Sequence, residues 1–192
     1  TILEVNLSAI VENLNYYRSF LHPTTKMVCM VKADAYGAGA VQVAKTLQEH
    51  RVDYLAVAVA DEGVELRRAD NTANIIILNP EMSSFRTLFR HSLEPEVYSF
   101  RLLEALIREA EKEGITNFPV HIKLDTGMHR MGFDPVGDMP RLIDLMKHQS
   151  ALVPRSVFSH FVGSDSDDFD DFSALQYERF RQGSYALQSA FH

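Results

Sequence analysis

Short apolar, β-branched runs alternate with segments of helical period through almost the whole chain, the run coming first in each unit. The runs predict six strands: Met27–Lys32, Tyr54–Val59, Ile75–Leu78, Leu93–Tyr98, Val120–Leu124 and Val157–Val162. Their mostly apolar character is that expected of parallel strands buried on both faces. Between them the pattern predicts helices over Ala40–Glu49, Glu62–Ala69, Ser84–Arg90, Phe100–Glu113, Met139–Lys147 and Phe172–Ser189. The clearest is Phe100–Glu113, where Leu103, Leu106, Ile107 and Ala110 share a face, Ser99 stands as cap and Gly114 as stop. A Glu104/Arg108 pair at i, i+4 supports it further. An opening helix, Ser8–Phe20, carries Ile10, Leu14 and Tyr17 on one stripe.

Strand–helix alternation of this kind builds an α/β fold, either an open doubly wound sheet or a (β/α)8 barrel. Eight units need on the order of 250 residues. The 192 present accommodate about six, which fits a six-strand open sheet or an incomplete barrel. With 19 basic and 26 acidic residues the net charge is −7, and no basic cluster offers the footprint of a nucleic-acid partner. No apolar run reaches the length of a membrane span. The single cysteine, Cys29, excludes an internal disulfide, and the opening TILEVNLSAIVENL has none of the regions of a signal peptide, so a cytoplasmic location is expected.

Three clusters carry candidate chemistry, each at the end of a predicted strand, where parallel α/β folds place their active-site rim. The first is VKADAYGAG, Val31–Gly39, with Lys32 followed by Tyr36, Gly37 and Gly39. A lysine at such a rim suits covalent chemistry with a carbonyl, though an exposed rim lysine is the plainer reading. The second, KLDTGMHRMGF at Lys123–Phe133, gathers Lys123, Asp125, His129 and Arg130. Its plainer reading is a solvated loop with one ion pair, while Gly127 and Gly132 imply a tightly turned backbone. In the third, Ser159-His160-Phe161, a histidine between apolar neighbours fits a hydrogen-bonded core or rim residue as well as a catalytic one.

In order and separation the three clusters resemble the signatures of alanine racemases. VKADAYGAG is similar to their pyridoxal-phosphate attachment motif, KLDTGMHRMGF to their second signature, and SHFVGSD with Gln176 and Phe180 to their third. ADEGVELR, Ala60–Arg67, resembles a further segment, and the similarity runs from about Val5 to the end. Two positions depart from the pattern: Ala38 stands where the family usually has His, and His129 where it usually has a small residue.

The resemblance implies the fold-type III barrel, here with about six of eight strands, and pyridoxal 5'-phosphate as cofactor. It implies that Lys32 is linked covalently to the cofactor and acts as one catalytic base. Tyr36 would donate to the phosphate, Arg130 would face the phenolic oxygen, and His160 would pack against the pyridine ring. Lys123 would be carbamylated and orient Arg130, and Met128 would lie near the substrate carboxylate. The reaction implied is interconversion of L-alanine and D-alanine for peptidoglycan synthesis, in a homodimer whose partner subunit supplies a tyrosine as the second base. On this reading residues 1–192 form an N-terminal barrel domain without its last strands or the C-terminal β domain, a piece of a larger racemase expected to be inactive alone. A non-catalytic pyridoxal-phosphate-binding barrel and a fold retained without cofactor are the alternatives.

Overall fold

The computed structural model describes residues 2–191. The chain divides into two compact units, Thr1–Glu94 and Pro95–His192. The first opens with helix α1 (Leu7–Ser19), capped by the Asn6 side chain, which accepts from the Ala9 N–H at 3.2 Å. It continues with β1 (Val28–Met30), the helical turn α2 (Lys32–Gly37), α3 (Ala40–Glu49), β2 (Tyr54–Val57), α4 (Ala60–Arg68), β3 (Asn74–Ile77) and α5 (Phe85–His91). β4 (Leu93–Val97) straddles the boundary; α6 (Phe100–Lys112), β5 (Phe118–Lys123), α7 (Met139–Lys147), β6 (Leu152–Phe158) and α8 (Asp170–Phe191) follow. In the first unit β1 pairs with β2 and β2 with β3, and in the second β4 pairs with β5 and β5 with β6; all four pairings are parallel. Parallel neighbours need a crossover, and a helix supplies it each time.

The core of the first unit is built from Leu55, Ile75, Ile77, Leu88 and Leu93, all with no more than traces of exposure. Gly63 lets α4 lie close on this layer, because a Cβ there would meet Leu93 and Ile77 side-chain carbons at about 3 Å. In the second unit Leu103, Leu106, Ile122, Leu124, Phe133 and Leu142 play the same part. Ser99 caps α6 as the pattern predicts, its hydroxyl accepting from the Leu102 N–H, and Gly114 adopts the positive φ of 68° that ends such a helix.

Several expectations need correction. The outer strands are not buried on both faces: Val28 and Met30 of β1 are exposed, and most of β6 is only partly covered. The sixth strand spans Leu152–Phe158, five residues earlier than its predicted start, and residues 159–162 lie beyond it. Pro154 and Arg155 break the apolar run that marks a strand, yet Pro154 sits opposite Val120 at a bulge, where a residue without an N–H is tolerated. Glu104 pairs with Arg141 of α7 at 3.0 Å, not with Arg108. On α1 only Leu14 is buried, and Tyr17 of the supposed stripe is exposed.

Candidate functional site

Lys32 follows the end of β1 and opens a turn of the opposite hand to an ordinary helix. Ala33, Asp34, Ala35 and Tyr36 take φ between 51° and 58°, all four left-handed without a glycine among them. Each such residue costs roughly 1–2 kcal/mol, because its Cβ crowds the following carbonyl. Strain of that size persists only where the surroundings over-determine it, and two carboxylates do so. The Glu62 side chain accepts from the Ala33 N–H at 2.7 Å while its other oxygen accepts from the N–H groups of Ala58 and Val59. The Asp34 side chain accepts from the Ala40 N–H at 2.6 Å, joining the turn to the start of α3. Gly37 and Gly39 then continue at φ 87° and 91° with open space around their α-carbons, so conformation, not room, selects glycine there. The turn leaves Tyr36 exposed and Lys32 half-buried, and neither side chain has a hydrogen-bond partner among the described residues.

The second cluster begins at the end of β5. Lys123 is buried and its ammonium lies 3.0 Å from Glu96 Oε1. Asp125 spends its charge on its own loop: Oδ1 accepts from the N–H groups of Gly127 and His129, both at 3.0 Å. His129 stands at φ 55°, in the left-handed region, and its ring lies 3.5 Å from Asp125 Oδ2. Gly132, at φ 141°, packs so closely that a Cβ would fall on the backbone nitrogen of Asp125. The expected tight turns at Gly127 and Gly132 are present. Arg130 is exposed, and Met128 half-buried.

The third cluster follows β6 and is tied to the second by buried polar groups. Thr126 Oγ1 and Ser159 Oγ lie 2.7 Å apart, and the Ser159 hydroxyl also reaches the Leu124 carbonyl. Gln176, on α8 and 1% exposed, accepts from the Val162 N–H and donates to the His160 carbonyl and to Thr126 Oγ1. Arg179, one turn on, donates to the Thr126 carbonyl. His160 itself is exposed and lines a pocket of about 330 Å³ with Phe158, Phe161, Tyr177 and Phe180. The second unit thus holds Lys123 at the end of β5 and Met128, Arg130 and His160 on the two linked loops that follow β5 and β6, while Lys32 and Tyr36 belong to the first.

A family described as "Alanine racemase, N-terminal domain" matches residues 5–192. The chain belongs to this family. It is 33% identical over 188 residues to alanine racemase 1 of Oceanobacillus iheyensis, covering 97% of this chain and 50% of that one. Alanine racemase 2 of Caldanaerobacter subterraneus is 35% identical over 181 residues, covering 94% and 46%. Among solved structures, an alanine racemase of Clostridium difficile in complex with cycloserine superimposes with a TM-score of 0.91 at 33% identity, covering 97% of this chain and 51% of that one. An alanine racemase from E. faecalis gives a TM-score of 0.87 at 30% identity, covering 95% and 49%. The chain therefore spans about half the length of the relatives it matches. The fold class is that of the racemases' N-terminal α/β barrel, with parallel strands alternating with helices in each unit.

Three residues of the site escaped the sequence patterns. Glu62 was legible as part of ADEGVELR but not as the anchor of a turn 29 positions earlier. Gln176 was part of the third signature without a role. Glu96 carried the plainest signal, a charged residue inside a run otherwise reading as a fully buried strand.

Proposed function

We propose that residues 1–192 are the N-terminal barrel domain of a pyridoxal-phosphate-dependent alanine racemase, interconverting L-alanine and D-alanine. The observation that carries this reading is the environment of Lys32: a half-buried amine with no hydrogen-bond partner among the described residues, opening a strained left-handed turn fixed by Glu62 and Asp34. Strain held in place in this way marks functional sites. The donors of the first unit suit an anionic aldehyde cofactor, because the Lys32 amine and the Tyr36 hydroxyl are both unengaged by hydrogen bonds among the described residues. The cofactor supplies an electron sink for the carbanion left when an α-proton is removed.

The roles of the chain's own residues follow the resemblance. Lys32 would hold the cofactor and serve as a base at Nζ for the α-proton on one face. Tyr36 would hold the phosphate through its hydroxyl. Arg130 and His160 would hold the cofactor ring, and Met128 would border the substrate carboxylate. The opposite face needs a second base, which the family places on the partner subunit of a homodimer. Supply of D-alanine for peptidoglycan, in the cytoplasm, is the corresponding role; no helix among the described residues is long and apolar enough to cross a membrane.

Titration of the chain with pyridoxal phosphate tests the reading. A long-wavelength absorbance band is expected that Lys32→Ala abolishes, together with Lys32-dependent exchange of the alanine α-proton in deuterated water. A band without exchange would favour the non-catalytic cofactor-binding alternative, and no Lys32-dependent band would overturn both.

A further inference from the structure

The backbone ladder between β5 and β6 gives way where the site begins. At its end the Leu124 N–H donates to the Phe158 carbonyl at 2.9 Å, just past the Lys123–Phe158 register pair. In a parallel pair alternate residues face the same neighbour, each donating its N–H to one carbonyl opposite and accepting from the N–H two residues further on. The rung due two residues beyond Leu124 would therefore join Thr126 to the His160 carbonyl and the Val162 N–H. Thr126 does not make it. Past Asp125 the chain enters the tight loop held by Asp125 Oδ1, and the Thr126 carbonyl accepts from Arg179 Nη1 at 3.1 Å.

The side-chain amide of Gln176 fills that rung. Nε2 donates to the His160 carbonyl and Oε1 accepts from the Val162 N–H, both at 3.0 Å, which are the two partners, in the same sense, that the Thr126 peptide would have met. A primary amide carries one N–H more than a peptide group, and Nε2 also donates to Thr126 Oγ1 at 3.1 Å. Thr126 Oγ1 in turn lies 2.7 Å from Ser159 Oγ. One buried amide thus keeps residues 160–162 extended as though still paired, and ties them to a stretch of chain that has left the sheet. Thr126, Ser159, His160 and Gln176 all line the pocket of about 330 Å³.

We propose that Gln176 is a positioning residue of this site: its amide stands in for the missing rung of the sheet and sets the spacing between the His160 segment and the loop that carries Met128 and Arg130. A continued strand would keep Thr126 in the sheet and leave no loop there, whereas an unfilled rung would leave the His160 carbonyl and the Val162 N–H without partners. The side chain comes from α8, so the rung is held by a rigid element. The inference rests on the racemase reading for what His160 and Arg130 would hold; the rung itself does not.

Amide hydrogen exchange of the chain without cofactor tests the rung. Val162 is exposed and lies outside every strand, yet its amide is expected to be protected at least about tenfold more than that of Phe161, which has no acceptor among the described residues. Gln176→Met, of similar size without the amide, is expected to abolish that protection, and Gln176→Glu, which keeps an acceptor oxygen, to retain it. Affinity for pyridoxal phosphate, read from the Lys32-dependent band, tests the positioning. Gln176→Met is expected to weaken it about tenfold. Leu187→Ala, a truncation of a buried side chain on the same helix with a comparable cost in stability, is expected to weaken it less than about twofold. Equal exchange at Val162 and Phe161, or a Val162 amide unmoved in Gln176→Met, overturns the rung; equal weakening by Gln176→Met and Leu187→Ala overturns the positioning role and leaves Gln176 a structural residue. Should Gln176→Met fail to fold, Gln176→Asn, whose amide is one methylene too short for these bonds, replaces it in both measurements. A wild type with no Lys32-dependent band fails the racemase reading, and the exchange result still decides the rung.

Discussion

The turn after β1 and the paired loops after β5 and β6 hold the candidate site residues at strand ends by opposite means. The Lys32 turn is local: its geometry is a run of left-handed residues, and two carboxylates hold it by accepting backbone N–H groups. The loops of the second unit keep most of their backbone relaxed and are joined over long sequence distances by Gln176, Thr126, Ser159 and Arg179. Backbone strain fixes one lysine with little freedom, whereas a side-chain network fixes several residues at once and depends on every member being satisfied.

Removing the hub of the network is expected to have the largest effect. Gln176→Ala leaves the Val162 N–H, the His160 carbonyl and Thr126 Oγ1 without their partner, the last of them buried, and opens a cavity, for a loss of about 3 kcal/mol. Urea unfolding measures it, and a loss near zero would mean that the network is not what joins these loops. The matching change in the first unit, Glu62→Ala, releases the N–H groups of Ala33, Ala58 and Val59 in a largely exposed setting that water can partly satisfy. About 2 kcal/mol is expected, with faster hydrogen exchange at the Ala33 amide. Unchanged exchange there would show that the left-handed turn does not need its anchor.

The smallest effect sharpens the contrast between buried and exposed carboxylates. The N–H groups of Gly137 and then Val136 hold the Asp134 carboxyl below its ordinary value of 3.8. A carboxyl with a lowered folded-state value contributes stability above its ordinary value and loses it as pH falls through the lowered one. Because Asp134 is exposed, a few tenths of a kcal/mol is expected. Comparing the wild type with Asp134→Asn at about pH 5 and about pH 3 measures it; equal losses in both proteins would remove Asp134 from the account.

Much of this was legible in the sequence because the signals were periodic. Helices such as Ala40–Glu49 and Met139–Lys147 matched their predicted bounds, since an amphipathic repeat over nine or ten residues is hard to mistake. β6 was misplaced because apolar content alone marks a strand poorly when one face is partly exposed and a proline sits at a bulge. The left-handed turn gave no signal beyond its flanking glycines: Ala-Asp-Ala-Tyr has no preference for that hand, and the hold comes from Glu62, far along the chain. The Glu96–Lys123 pair joins residues 27 apart on neighbouring strands, a contact that only strand register discloses.

The central claim is that Lys32 is the one lysine the fold prepares for pyridoxal phosphate. Borohydride reduction of the chain with limiting pyridoxal phosphate, followed by peptide mapping, tests it directly. The account predicts the phosphopyridoxyl group on the peptide carrying Lys32, with the preference weakened in Glu62→Ala. Label spread evenly over the exposed lysines, and unchanged by Glu62→Ala, would contradict it.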